Sequence, residues 1–398
     1  MQEIWILLIV VGVISVYLGS ENWLNLRRIR LVRHRIHVNG SRGKSSVTRL
    51  VAAALREAGL KTIAKTTGSS PRFIFPDGSE VLIRRLGQAN IKEQLKIAHW
   101  ARLHRPDAIV VECMALAPQN QWASEHRMLR STLGVCTNVR ADHLDIMGPE
   151  VADVEKALAG TVPRGGVFVT TERTYTGVLR RACEDNDTRF VQVTGPEVDA
   201  VTAKEMSAFT YIEHEDNVAL ALKVAELLGI GRETALKGMH SCNPDVGALR
   251  RWDLVFYGRT ISWINAFAAN DPASTRMIWD RIRELIPDSD SRILVVNCRD
   301  DRPDRSRQLG RLAPLLDDVD RFVLTGSGTE VFARAAVRGG IRKDRIYTMV
   351  GETVLKVFER IVSWSGTRAV ILGVGNIKGM GAALDEYFRN RAVRPERN

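Results

Sequence analysis

Cysteine is scarce in this chain, and what there is lies scattered. The five cysteines among 398 residues (Cys113, Cys136, Cys183, Cys242 and Cys298) form no C-x-x-C pair. That argues against a disulfide framework or a zinc knuckle and suits a reducing compartment. The eight histidines show no paired metal spacing. Aromatic residues make up only 6% of the chain, and they do not interleave with basic residues as base-stacking surfaces require. Nucleic acid therefore ranks last as a partner, although the net charge is +11. With 45% hydrophobic and 26% charged residues, the chain is globular and long enough for two domains.

Long uncharged stretches are equally scarce, and the one that stands out opens the sequence. Ile4 to Ser20 carries no charge, with Trp5, Tyr17 and Trp23 where interfacial aromatics sit. Arg27, Arg28, Arg30, Arg33 and Arg35 follow. A cleaved signal peptide would need basic residues before the apolar run and an A-x-A site after it, and neither is present. A buried core helix is the plainer alternative. The reading taken is a single transmembrane anchor over residues 1–35, with the arginine run facing inner-leaflet lipid. The positive-inside rule then puts the N-terminus outside and the catalytic domains in the cytoplasm, at the cytoplasmic membrane.

Val38-Asn39-Gly40-Ser41-Arg42-Gly43-Lys44-Ser45-Ser46 lacks the first glycine of the usual G-x-x-x-x-G-K-[ST] pattern, since Val38 occupies that place. It keeps the short form G-x-x-G-K-[ST], after an apolar strand (Ile36 to Val38) and before a helix with Val47, Leu50, Val51 and Leu55 at helical spacing. Strand, glycine turn, Lys-Ser and helix together make a phosphate-binding loop. Gly40, Ser41, Arg42, Gly43, Lys44, Ser45 and Ser46 are the nucleotide-binding candidates, with Ser45 on magnesium.

Two further signals follow. Asp107 to Met114 is a continuous apolar run ending in Glu112, an acid where open α/β sheets bind ligands. Glu112 is a candidate magnesium ligand. The string Thr137-Asn-Val-Arg-Ala-Asp142-His143-Leu-Asp145 lies at the mouth of the next strand, and its acids and imidazole can hold a second cation. Arg72 and Asn90 stand on polar loops near the phosphate site and suit carboxylate binding. Strands and helices alternate through to about residue 246, the signature of a doubly wound sheet. The boundaries drawn are 36–246 for the ATP-binding domain and 247–398 for a second α/β domain. That domain has Rossmann-like alternation, but Gly373-Val-Gly375-Asn376 is not read as a dinucleotide site. Asn265 to Asp271 and Asn297 to Arg305 are its polar clusters.

Taken together these residues resemble the Mur ligase superfamily. G-S-R-G-K-S-S, the strand-end Glu112, T-N-x-x-x-D-H-L-D-x-x-G and an E-x-x-N helix start occur in the order of its central domain, and N-A-F-A-A-N-D-P-x-S looks like the entry to its C-terminal domain. N-G-x-R-G-K-S, E-C-M-A, D-H-L-D-I-M-G-P, N-C-R-x-D-R and V-G-N-I narrow the resemblance to the ligase subunits of poly-gamma-glutamate synthases, over nearly the whole chain. The phosphate loop comes straight after the N-terminal segment, leaving no room for the precursor-binding domain of Mur ligases. Folylpolyglutamate synthases are the nearest competitor.

The resemblance implies ATP-dependent ligation of glutamate, gamma-carboxyl to alpha-amine, through an acyl phosphate. It implies ATP and two magnesium ions as cofactors, and Lys44, Glu112 and His143 as catalytic. Asn217 becomes the adenine contact, and Arg250 the residue reaching the nucleotide from the second domain. Arg72, Asn90, Asn270, Arg299, Asp301 and Arg302 are the substrate candidates. Glutamate, the acidic polyglutamate chain and small membrane subunits are the implied partners, with a homo-oligomer also considered. The sequence departs from the pattern twice: Leu158 stands where the superfamily often has a carbamylated lysine, with Lys156 out of register, and Asn265 replaces an aspartate. The alternative class is a membrane-anchored P-loop ATPase that drives assembly or export without ligation.

Overall fold

The apolar runs of the first half become parallel strands, mostly buried except for the last, at the sheet's edge. They are β1 (His34–Asn39), β2 (Thr62–Lys65), β5 (Ala108–Glu112), β6 (Leu133–Cys136), β7 (Val167–Thr170) and β8 (Arg189–Gln192). A short hairpin, β3 (Arg72–Ile74) and β4 (Glu80–Leu82), adds two antiparallel strands at one edge. The order is β4-β3-β2-β5-β1-β6-β7-β8. A computed structural model provides this architecture; it describes residues 2–67, 71–85, 90–209, 211–244, 249–267 and 272–393. Contacts divide the chain into two compact units, Met1–Val246 and Gly247–Asn398.

Strand β1 sits centrally between β5 and β6, so the chain's direction of winding reverses there. Its register sets Val38 beside Glu112 on one side and Val135 on the other. Ligands of open α/β sheets bind outside the carboxyl ends of strands at such a reversal. Helix α2 (Lys44–Glu57) follows β1 and buries Val47, Leu50, Val51 and Ala54. Helix Arg232–Ser241 packs closely on it, because Gly238 lets Ala53's carbonyl approach to where a side chain would stand.

Helix α1 (Gln2–Arg30) departs from expectation. Among the described residues no helix is long and apolar enough to cross a membrane, so the spanning anchor expected over Ile4 to Ser20 is not found. Seventeen uncharged residues stand at the short limit of a span, about 25 Å of helix against a hydrocarbon core of about 30 Å. The helix instead runs on without a break, and its second half docks on the first unit. Asn25 and Ile29 are buried, Asn25 Nδ2 donates to Met128 O at 3.0 Å, and Ile29 joins Ile63, Phe73, Ile97 and Ile109. The first half exposes Ile4, Trp5, Ile6, Ile9, Val13 and Val16.

The second unit is built on β9 (Arg250–Phe256), β10 (Arg259–Asn265), β11 (Ser291–Cys298), β12 (Arg321–Gly326), β13 (Ile346–Thr348) and β14 (Arg368–Gly375), in the order β13-β12-β11-β14-β10-β9. Only β9 is antiparallel, so both sheets are mostly parallel, as expected. Its core stacks Trp263 on Phe388, ring centres 4.2 Å apart and 3° from parallel. Truncating such a buried ring typically costs about 3–5 kcal/mol.

Candidate functional site

Gly40 (φ +128°) and Gly43 (φ +82°) turn the chain out of β1 and into α2. Both conformations favour glycine, and both glycines are also crowded. A Cβ on Gly40 would strike the Thr137 hydroxyl, and one on Gly43 would lie 2.7 Å from Asn217 Oδ1. The loop following β6 grips the outer edge of the turn. Ser41 N donates to Asn138 O (2.9 Å), Arg42 N to Asn138 Oδ1 (3.1 Å), and Asn138 Nδ2 and Thr137 Oγ1 to Arg42 O (3.1 and 2.5 Å). Ser41 Oγ and the backbone of Arg140 exchange a further pair at 3.0 and 2.9 Å. Each such bond is worth about 1 kcal/mol net, and together they fix the shape of the loop. No side chain caps α2, so its first N–H groups and dipole are left for an anion. Lys44 Nζ curls over the turn, donating to Gly40 O (2.7 Å) and Ser41 O (3.1 Å).

Glu112 ends β5 almost fully buried, and one of its oxygens collects two donors. Ser45 Oγ lies 2.9 Å from Oε2 and Thr67 N lies 2.6 Å from it. Hydroxyl and carboxylate oxygens are the donor set magnesium prefers, and that ion usually completes its shell with water and phosphate oxygens. Among the described residues no group of three or more His, Cys, Asp or Glu could hold a metal alone. The Ser45–Glu112 pair thus fits a cation carried in with a nucleotide.

His143 lies on the other loop, in a left-handed conformation (φ +49°) that opens the short helix Leu144–Met147. Such backbone in a bulky residue is uncommon and worth a functional reading. Its Nε2 is 3.8 Å from Asp142 Oδ1, and Asp142 is 3.3 Å from the Arg42 guanidinium. Glu172 braces this loop from β7's end: Oε2 accepts from Val139 N (2.7 Å), and Oε1 from the N–H groups of Arg173, Thr174 and Tyr175. The structure brings Ser45 together with Glu112, and Arg42 together with Asp142 and His143. The contacts of Glu112 are with Ser45 and Thr67, whereas His143 pairs with Asp142.

The Mur ligase middle domain family matches residues 38–242, and the poly-gamma-glutamate synthase CapB C-terminal domain family matches residues 253–391. The chain is 35% identical over 392 residues to PGA synthase CapB of Bacillus subtilis (strain 168), covering 98% of this chain and 99% of that protein. The chain belongs to the CapB poly-gamma-glutamate synthase family. Among solved structures, it is similar to the bifunctional folylpolyglutamate synthase/dihydrofolate synthase of Yersinia pestis complexed with AMPPNP and Mn (TM-score 0.64, 13% identity, 93% of each chain). It is also similar to Mycobacterium tuberculosis folylpolyglutamate synthase complexed with ADP (TM-score 0.61, 16% identity, 93% of this chain and 94% of that one). At that identity the likeness is one of fold.

For this CapB-family chain, the remaining candidates fall in varied places. Asn217 is buried against Gly43, its amide donating to Glu213 Oε1 at 2.8 Å, so it backs the phosphate turn directly. Arg72 lies on β3, and its Nε is buried without a hydrogen-bond partner among the described residues, an orphan donor suited to an anion. Asn90 is exposed. Asn270 and the side chain of Arg250 lie outside what is described. In the second unit Arg299 pairs with Asp301 (2.6 Å) at the carboxyl end of β11, and Arg302 begins the helix Pro303–Leu312. Gly375-Asn376 is clasped there too: Asn297 Nδ2 donates to Asn376 O (2.5 Å) and Asn376 Nδ2 to Asn297 O (3.2 Å). Asn265 accepts from Phe267 N at 3.2 Å. Lys156 is a surface residue paired with Asp153 (2.9 Å), and Leu158 is buried.

Sequence reasoning missed several supports of the CapB-family site. Thr137 and Asn138 stand in the string that ends D-H-L-D without any local mark of their role, yet they hold the phosphate turn. Lys65, at the end of β2, is buried with Nζ 3.5 Å from Glu93 Oε2. Burial lowers its pKa, while Glu93 and then Glu112 oppose the shift. A lysine closing a strand beside the phosphate-loop sheet was the available signal. Beneath β1, His37 Nδ1 meets Glu125 Oε2 at 2.8 Å, and Asn39 Nδ2 donates to Gln121 Oε1 (2.8 Å) and Thr161 Oγ1 (3.2 Å). Nothing local marks those partners.

Proposed function

We propose that the protein is an ATP-dependent amide ligase that extends poly-gamma-glutamate through an acyl phosphate. The supporting observation is the Ser45–Glu112 pair set directly at the phosphate turn and α2's uncapped N-terminus. A carboxylate is a poor acyl donor at neutral pH. One oxygen of the gamma-carboxylate of glutamate, or of the chain end, attacks the gamma-phosphorus of ATP. The bond to the bridging oxygen breaks and ADP leaves. The alpha-amine of the next glutamate then attacks the acyl carbon, losing a proton, and phosphate departs with the original carboxylate oxygen.

Lys44 and the N–H groups of the turn neutralise charge on the transferring phosphoryl group, the positioning role this chemistry mainly asks of a protein. Ser45 and Glu112 would hold one magnesium ion and His143 a second, supplying charge stabilisation. Arg72, with its orphan donor, orients a substrate carboxylate. Asn217, Arg250 and the Arg299–Asp301–Arg302 cluster serve nucleotide and acceptor binding. The protein works at the inner face of the cytoplasmic membrane with small membrane subunits. The exposed apolar half of α1 and the arginines at its end support that reading. An all-round apolar helix needs an apolar cover.

The test is isotopic. Glutamate labelled with oxygen-18 in its gamma-carboxylate is incubated with the full chain, its membrane and Mg-ATP. Glutamate-dependent appearance of label in released phosphate is expected. Unlabelled phosphate released at a rate indifferent to glutamate would instead indicate a membrane ATPase.

A further inference from the structure

A cavity lies at the amino ends of strands in the first sheet. It has a volume of about 370 Å³, and its lining includes Arg35, Arg130, Arg164, His126 and Glu125. Arg35 is the second residue of β1, Ser131 and Thr132 lead into β6, and Arg164 and Gly165 lead toward β7. These strands are parallel, so the cavity opens at their amino ends, away from the phosphate turn. Catalytic sites of such sheets lie at carboxyl ends, and the reaction makes no use of this one.

The charge of the cavity is unbalanced. Arg35 is held by backbone carbonyls alone, its Nε donating to Arg130 O and its Nη1 to Val32 O, both at 2.8 Å. Arg130 Nε donates to His126 O at 3.2 Å. None of the three lining arginines pairs with a carboxylate among the described residues. The one acid in the lining, Glu125, is already engaged: its oxygens take His37 Nδ1 (2.8 Å), Ser131 Oγ (2.9 Å) and Ser131 N (2.7 Å). Burial, and then the like charges of Arg30, Arg127 and Arg164, lower the pKa of Arg130. A cluster of three guanidiniums, none ion-paired among the described residues and with only one carboxylate beside them, is suited to an anion with several acceptor oxygens.

The position of α1 says which anion. Its docked half is tied to the segment that forms the cavity wall, through Asn25 Nδ2 and Met128 O, and Arg30 ends the same helix. Its other half is the exposed apolar stretch. From this juxtaposition we infer that the Arg35–Arg130–Arg164 cavity binds a phosphate group, presented by an anionic phospholipid where the apolar half of α1 enters the bilayer surface. The inference rests on the membrane reading above and is independent of the ligase reading. A lipid phosphate and a free phosphate ester share this chemistry, so the test separates them.

The full chain is sedimented with vesicles of phosphatidylcholine alone and with vesicles containing phosphatidylglycerol. Salt is kept at about 0.3 M, where screening beyond roughly 6 Å removes loose attraction to surface arginines. Wild type should prefer the anionic vesicles, and Arg130→Gln with Arg164→Gln should reduce that preference by roughly fivefold per arginine removed. Arg342→Gln, at an exposed arginine of the second unit, should leave it nearly intact, and ATP turnover should be unchanged in both variants. Arg164→Gln alone, in an exposed turn, carries the test if the double variant unfolds early. Binding to both vesicle types without phosphatidylglycerol preference would overturn the headgroup assignment while membrane attachment stood. If no vesicle binds, but glycerol phosphate raises the melting temperature of wild type and not of the Arg164 variant, the phosphate site holds and its source is a soluble ester. Arginine-dependent binding of soluble polyglutamate without any response to phosphate would overturn the proposal.

Discussion

The Ser45 hydroxyl donates to Glu112 Oε2 at 2.9 Å, joining residues 67 apart in sequence at the mouth of the phosphate turn. The same oxygen takes Thr67 N, so Glu112 is fixed by two donors before any cation arrives. Glu112→Gln keeps the shape and removes the charge. Turnover should fall at least about 100-fold, near 2.7 kcal/mol, and the magnesium dependence should shift to higher concentration. A magnesium titration of the ATP-consumption rate checks this; an unchanged curve would remove Glu112 from the metal site.

Lys44 supplies a side-chain cation bonded across the turn. Lys44→Ala should abolish glutamate-dependent phosphate release while the melting temperature stays within a few degrees, because the ammonium bonds only to two carbonyls of its own turn and the loop is held independently by Thr137 and Asn138. Normal turnover in this variant would sink the assignment of the turn as the nucleotide site.

Gly43→Ala places a methyl 2.7 Å from Asn217 Oδ1 in a residue at φ +82°. Nucleotide affinity should drop by roughly tenfold or more, since strain of about 1–3 kcal/mol falls on the turn itself. Adding Asn217→Ser should not restore binding, because Asn217 itself serves the nucleotide and the φ strain at residue 43 remains. Equilibrium binding of a fluorescent ATP analogue distinguishes the three proteins.

The His37–Glu125 pair gives a pH signature. Burial alone would push the imidazole down, but its hydrogen bonds to Cys113 and Glu125 outweigh that and raise its pKa to about 10. An unfolded histidine titrates near 6.5, so the folded pKa is the higher one. The associated stability is fully present below pH 6.5 and is lost as pH rises through about 10. Urea midpoints should therefore decline between pH 7 and 10. His37→Leu, which strands Glu125, should cost about 3–5 kcal/mol at pH 6.5 and flatten the slope. A wild-type midpoint that rises across this range would contradict the pairing.

In the second unit, the indoles of Trp252 and Trp263 both donate to Asp385 Oδ1, at 3.3 and 3.1 Å. Asp385→Ala leaves the half-buried and the fully buried indole N–H without an acceptor, a loss of about 1–3 kcal/mol. Tryptophan fluorescence during denaturation should show an earlier transition; Asp385→Asn should retain much of the stability.

Much of the nucleotide site is legible locally. A glycine turn between strand and helix, an acid closing an apolar run and a D-H-L-D string each carry their chemistry within a few residues, and strand–helix alternation suffices for two mostly parallel sheets. The hairpin of β3 and β4 escaped because strands of three residues are too short to show a period. The run at Ile4 to Ser20 was legible as apolar, but periodicity cannot show that one helix continues to Arg30 and docks through Asn25 and Ile29.

The sequence by itself determined which residues form the glycine turn between β1 and α2, since backbone conformation and short-range spacing make that turn. Tertiary structure alone decided what holds it in place. Asn138 grips Arg42 from 96 residues away, Glu172 braces Val139 from the end of another strand, and Glu125 neutralises His37 across 88 residues. It also assembled three arginines from separate strand entries into one cavity. The physical reason is that buried polar groups must find partners wherever packing brings them, and in a doubly wound sheet neighbours in space are distant in sequence.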